Sequence, residues 1–139
     1  MKYLHTALRV NDLEESLDFY CNTLGMKEIR RTTGRHRPCD IVFLSMPDDQ
    51  ESQIELVYYH NKADRDKFSK FGHIAYEVDN IYDECNSLLN KGMELRLPPR
   101  DGFMAFIESP DGISFELIQK GKPLKPQEPW VSMKPADKW

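Results

Sequence analysis

Four side chains in this sequence have the types and places to do chemistry together: His5, Glu55, His73 and Glu116. They form two imidazole–carboxylate couples. Neutral imidazole and carboxylate are ligands for zinc, nickel, iron or manganese, and two carboxylates cancel the charge of a divalent ion. With no thiolate in the set, a closed structural zinc site is disfavoured, and a centre of this kind keeps room for water or substrate. Taken singly, a histidine near a strand start is more often a hydrogen-bonded scaffold residue. A lone glutamate in a strand more often faces solvent from an edge. Repetition is what singles these four out. His5-Thr6-Ala7-Leu8-Arg9-Val10-Asn11-Asp12-Leu13 aligns with His73-Ile74-Ala75-Tyr76-Glu77-Val78-Asp79-Asn80-Ile81, with His, Ala, Val and the polar pair in register. Downstream, Ile41-Val42-Phe43-Leu44-Ser45-Met46-Pro47-Asp48 parallels Met104-Ala105-Phe106-Ile107-Glu108-Ser109-Pro110-Asp111, and each copy closes on Glu-Leu-aliphatic at Glu55 and Glu116. His36 and His60 have no such counterparts and read as loop histidines.

The elements that must position these residues follow from the local pattern. Alternate residues of a strand share a face, so His5 lies with Ala7 and Arg9, and His73 with Ala75 and Glu77, while Leu4, Leu8 and Val10 face the other way. Each imidazole therefore projects with only a small alanine beside it. Glu55 interrupts the apolar run Ile54, Leu56, Val57, and Glu116 interrupts Phe115, Leu117, Ile118. A carboxylate so placed is costly unless it is paired or bound to a cation. Leu13, Leu17, Tyr20 and Leu24 have helical spacing before Gly25, as do Ile81, Cys85, Leu88 and Leu89 before Gly92. Asp12 with Glu15, and Asn80 with Asp83, supply short side chains that can accept from the first free amides of those helices. Each half thus reads strand, helix, then two or three strands joined by Pro, Asp and Gly turns, an α+β pattern. The copies run from about 2 to 60 and from about 71 to 120, with the polar link His60 to Lys70 between them. Residues 121–139 hold four of the nine prolines and both tryptophans, which disfavours regular structure. The segment reads either as a frayed tail or, since Trp130 and Trp139 would not be left in solvent, as one that wraps a neighbouring subunit or borders the site.

At 139 residues the chain has the length of about one domain and can bury a real core. Lys plus Arg number 19 against 23 Asp plus Glu, a net charge of −4 with no basic block, so nucleic acid is not an expected partner. No stretch approaches the roughly 20 apolar residues that cross a bilayer, and the opening MKYLHTALRV alternates polar and apolar residues rather than forming a signal core. A cytoplasmic protein is expected. Cys21, Cys39 and Cys85 are odd in number, widely spaced and without a C-x-x-C pair, and read as free thiols.

The motifs LHTALRVNDLEESLDFYCNTLGMKEIRR, QIELVYY, FGHIAYEVDN and MAFIESPDGISFELIQK together resemble the glyoxalase I (lactoylglutathione lyase) enzymes of the vicinal oxygen chelate superfamily. The resemblance covers residues 1–120. It implies a single domain of two tandem βαβββ modules forming curved mixed sheets around a cleft. It also implies a homodimer with its sites at the interface, where His5 and Glu55 of one chain meet His73 and Glu116 of the other. A divalent metal per site is implied, nickel or zinc foremost, with cobalt, manganese and iron as alternatives. The implied reaction isomerises the hemithioacetal of methylglyoxal and glutathione, or another thiol, to a 2-hydroxyacyl thioester. A proton leaves the carbon next to a carbonyl, and the enediolate that results needs a Lewis acid on its two vicinal oxygens. Family behaviour implies Glu116 as the base and Glu55 as the second carboxylate of the proton transfer.

Arg9 matches the family residue that pairs with the glutamyl carboxylate of glutathione; the alternative is a surface pair with Glu77 or another acid. Phe71, beside Gly72-His73, is either a wall of the pocket or plain core. Tyr59 stands where glutathione-using members usually carry Asn. The short segment Leu97-Pro98-Pro99-Arg100-Asp101-Gly102-Phe103 replaces a longer Gly- and Lys-containing loop, leaving Arg100 to supply a positive charge there. Relatives of the same fold supply the alternatives. One is another metalloenzyme: an epimerase, in which Gln is typical at the position of Glu55, a dioxygenase with three protein ligands, or a thiol transferase. The other is a non-catalytic module of the bleomycin-resistance sort.

Overall fold

The computed structural model describes residues 1–34 and 36–136. Along the chain run β1 (Lys2–Arg9), α1 (Leu13–Leu17), which continues as a π-helical turn over Asp18–Thr23, β2 (Lys27–Thr33), β3 (Cys39–Met46), β4 (Asp49–Tyr59), α2 (Lys62–Lys67), β5 (Phe71–Val78), α3 (Ile81–Asn90), β6 (Met104–Glu108) and β7 (Ser114–Gln119). The fold is mixed α+β. It divides into two compact units, Leu4–Gly72 and Met1–Tyr3 with the residues from His73 onward.

In the Leu4–Gly72 unit the strands run in the order β2-β3-β4-β1, with β1 parallel to β4 and the other pairs antiparallel. One face is apolar: Met26, Val42, Leu44 and Leu56 are buried there, with Leu8, Val10, Leu13 and Leu17 packed against them. That face receives α1, whose start is fixed as expected: the backbone N–H of Glu15 donates to Asp12 Oδ1 at 2.9 Å. The helix then widens into the π turn and stops at Gly25, which adopts φ +86°, a left-handed conformation that glycine enters without cost. The expected polar link between the copies contains a helix after all. Asn61 accepts from the N–H of Ala63 to start α2, and Lys62 reaches Asp66 one turn on at 2.6 Å.

In the second unit the order is β5-β7-β6, with β5 parallel to β7 and β6 antiparallel to it. Asn80 caps α3 by accepting from the N–H groups of Tyr82 and Asp83, and Gly92 ends it at φ +85°. Here the pattern of the first copy is curtailed. In place of a strand before β6 there is a single bridge, Leu97 to Phe106. Pro98 and Pro99 follow at once, and two residues without an N–H cannot extend a ladder.

The core of this unit collects Val78, Ile81, Tyr82, Cys85, Leu95, Ala105, Leu117 and Trp130. Cys85 is fully buried, and burial pushes its thiol up to about 12. All three cysteines are free.

Trp130 overturns the expectation for the tail. It is 2% exposed and stacks on Tyr82 with ring centroids 5.8 Å apart, so it closes the core of its own unit rather than reaching a neighbouring subunit or the site. No helix or strand forms over 121–136, and single hydrogen bonds hold the segment instead. Tyr82 Oη donates to the Lys125 carbonyl at 2.9 Å, and the N–H of Leu124 donates to the Gly102 carbonyl at 2.9 Å. Gly102, at φ +71°, admits this approach because any Cβ there would run into the Leu124 carbonyl oxygen. Trp139 lies outside the described residues. Replacing Trp130 by Ala empties a large core site and is expected to cost about 3–5 kcal/mol of stability. The fall would be read as a lower urea midpoint at unchanged slope; a midpoint equal to wild type would contradict the packing.

Candidate metal centre

On the face of the Leu4–Gly72 unit opposite its apolar core, His5 and Glu55 come together. His5 Nε2 lies 2.8 Å from Glu55 Oε2, and the residues are 5% and 8% exposed. Strand pairing explains the meeting. Ala7 of β1 stands opposite Glu55 of β4, and Phe43 of β3 flanks Glu55 on its other side. The methyl of Ala7 leaves space over the carboxylate. The Phe43 ring meets the His5 imidazole edge-on, with centroids 5.4 Å apart and planes at 75°.

The second unit repeats the arrangement part for part. His73 Nε2 lies 2.8 Å from Glu116 Oε2. Ala75 stands opposite Glu116, Phe106 flanks Glu116 from β6, and the Phe106 ring meets His73 with centroids 5.4 Å apart at 88°. Phe43 and Phe106 thus border the two couples, a placement that residue types alone did not single out. The signal was present, for both occupy the same place in the duplicated strands, but recurrence of an aromatic is also what a core position gives.

Each couple has the donor set for a cation. Two ligand atoms held about 2.1 Å from one octahedral cation at right angles are about 3 Å apart, close to the 2.8 Å found in each couple. The same spacing suits an imidazole N–H donating to a carboxylate, which keeps each buried carboxylate partnered. No buried side-chain nitrogen or oxygen among the described residues lacks a partner.

The candidate substrate residues distribute unevenly. Arg9, Tyr59 and Phe71 are brought together at one edge of the Leu4–Gly72 unit. Arg9 Nε donates to Tyr59 Oη at 3.4 Å, and one terminal nitrogen donates to the carbonyls of Ser69 at 3.2 Å and Phe71 at 3.0 Å. Its guanidinium also lies 5.1 Å from the Phe68 ring centroid. No carboxylate among the described residues pairs with Arg9. Phe71 is 36% exposed, so it is no core residue. Arg100 is exposed in the second unit, where its Nε donates to the Val131 carbonyl of the tail at 3.2 Å. His60, exposed, faces Asp40 at 3.1 Å.

A profile of the Glyoxalase/Bleomycin resistance protein/Dioxygenase superfamily matches residues 2–117. The chain belongs to this superfamily. Among curated relatives, the lactoylglutathione lyase of Neisseria meningitidis serogroup A is 39% identical over 126 residues, covering 86% of this chain and 91% of the relative. The lactoylglutathione lyase of Salmonella typhimurium is 37% identical over 125 residues, covering 86% and 93%. Solved structures of the superfamily fold include a hypothetical protein from Bacillus halodurans (TM-score 0.72, 22% identity, 89% of this chain and 97% of that one). A methylmalonyl-CoA epimerase from Mycobacterium tuberculosis superposes with TM-score 0.70 at 20% identity, covering 87% and 89%. At such identities these structures speak for the fold alone.

Proposed function

We propose that this superfamily member is a metal-dependent glyoxalase I-like lyase, which isomerises the hemithioacetal of a 2-oxoaldehyde and a thiol to a 2-hydroxyacyl thioester. The observation that carries this is the duplicated couple: an imidazole nitrogen 2.8 Å from a buried carboxylate oxygen, in the same sheet surroundings, in each unit, the imidazole being buried for His5 and half-buried for His73. Relatives named lactoylglutathione lyase at 37–39% identity over most of both chains support the reaction class.

His5, Glu55, His73 and Glu116 together would hold one divalent ion, nickel or zinc foremost, with cobalt, manganese or iron as alternatives. When bound, the ion supplies Lewis-acid stabilisation of negative charge developing on the substrate's vicinal oxygens. The proton chemistry falls to the carboxylates. Glu116 accepts the proton from the hemithioacetal carbon, and the adjacent carbonyl carbon regains a proton with Glu55 as the second carboxylate of the transfer. The carbon that loses hydrogen becomes the thioester carbonyl and its neighbour becomes the carbinol, so no outside oxidant or reductant is consumed. Phe43 and Phe106 flank the two carboxylates and limit the room for water beside them. Arg9 binds a carboxylate of the thiol part, Tyr59 braces Arg9, and Phe71 and Arg100 complete the substrate surface.

The domain is residues 1–120, with 121–139 as its tail. The protein works as a cytoplasmic homodimer with interface sites, for which light scattering should give twice the mass of one chain. No described helix is long and apolar enough to cross a membrane. The decisive assay follows thioester absorbance with methylglyoxal plus glutathione, and then with other thiols. Turnover with glutathione is expected; no thioester with any thiol would remove the lyase function and leave another metalloenzyme of this fold.

A further inference from the structure

The duplicated sheets carry the same row of residues across their strands, with one exception. In the second unit the row reads Ala75, Glu116, Phe106, Leu97. In the Leu4–Gly72 unit it reads Ala7, Glu55, Phe43, Arg30. A leucine in one copy is an arginine in the other, on the face that holds His5 and Glu55. A bulge in β2 puts it there. Lys27 pairs Ser45 and Glu28 pairs Leu44, so regular alternation would set Ile29 opposite Phe43 and Arg30 opposite the core-facing Val42. The register instead shifts between Glu28 and Arg30, and Arg30 becomes the partner of Phe43. The shift leaves Ile29 41% exposed on a strand whose residues are all exposed. Bulges commonly re-aim a side chain beside a functional site.

The guanidinium of Arg30 lies 3.8 Å from the centroid of the Phe43 ring, and that ring meets His5. Such a cation–ring contact uses none of the guanidinium's N–H donors. No carboxylate or carbonyl among the described residues accepts from this side chain, whereas neighbouring Arg31 is taken by Glu28 at 2.6 Å. Adjacent strands are about 4.8 Å apart, so Arg30 stands two strands, roughly 10 Å, from the carboxylate of the proton transfer. That is the reach of an extended peptide-like arm of a thiol whose reacting end lies at Glu55.

We propose that Arg30 is a specificity-determining residue that binds a carboxylate of the substrate's thiol part, selecting adducts of carboxylate-bearing thiols over neutral ones. This rests on the lyase function above and adds a cationic contact apart from Arg9. The test is Arg30→Met, which keeps an apolar chain over Phe43 and removes the charge, with Arg30→Lys as the charge-retaining control. Calorimetric Kd for S-methylglutathione should weaken about tenfold in the Met variant and recover in part with Lys. The ratio of kcat/KM for the glutathione adduct to that for the 2-mercaptoethanol adduct of methylglyoxal should fall by a similar factor, through KM rather than kcat. Equal loss with both thiols, or no change in Kd, would overturn the role of Arg30 even where wild type turns over normally. Wild type that binds S-methylglutathione in an Arg30-dependent way yet forms no thioester would uphold the carboxylate contact and remove the lyase function. Wild type that neither binds the analogue nor acts on the adduct would remove both.

Discussion

Glu116→Gln is expected to fold normally and to lower kcat with methylglyoxal and glutathione by about 10²–10⁴-fold, the usual contribution of a positioned general base. The amide is nearly isosteric with the carboxylate, and its oxygen can still accept from His73 Nε2, now 2.8 Å from Glu116 Oε2. The 8% exposed position therefore keeps a hydrogen-bonded partner, and the neighbours Ala75 and Phe106 need not move. What an amide cannot do is take a proton from carbon at neutral pH. Circular dichroism and the urea midpoint check the fold, and steady-state rates check the chemistry. A kcat within threefold of wild type would exclude Glu116 as the base. Measuring metal content of the same variant separates lost basicity from lost metal.

Stripping the metal is the second large effect. Protein dialysed against a strong chelator should lose activity by on the order of 10³-fold or more, since Lewis-acid stabilisation supplies several kcal/mol of the barrier reduction. Elemental analysis of the untreated protein should find about one divalent ion per chain, because each chain owns two couples and a site uses two. That ratio holds whether a site draws its couples from one chain or from two. Readdition of nickel, cobalt or zinc should restore turnover to differing extents, as shared ligand chemistry allows all three to bind. His5→Ala should drop the metal content well below wild type. It also leaves the carboxylate of Glu55 buried without its imidazole, so some loss of stability accompanies it. An apo protein that is as active as before and indifferent to added ions would sink the metal centre.

How far the residues alone led can be judged at particular positions. The helix starts at Asp12 and Asn80 and the stops at Gly25 and Gly92 were legible because capping and left-handed turns are local events, decided within a few residues. The face shared by His5 and Ala7, and by His73 and Ala75, was legible from alternation alone. The short helix α2 was missed, since its polar residues carry no apolar stripe and only the Asn61 cap announces it. The tail was misjudged because proline content forbids regular structure yet says nothing of where a tryptophan finds its cavity. Trp130 finds it against Tyr82, 48 residues away in the chain.

By itself the sequence determined which residues could bind a cation and that they come in matched couples, because duplication writes residue type and spacing twice. It determined the class of elements that carry them, through local propensity and period. Tertiary structure decided the register. Phe43 rather than another apolar residue flanks Glu55, the second copy stops at one bridge where Pro98 and Pro99 follow, and a bulge exchanges Ile29 for Arg30 opposite Phe43. Register is a sum of many weak pairings across strands distant in the chain, and a shift of one residue reverses every face. Such a choice is made only when the strands meet.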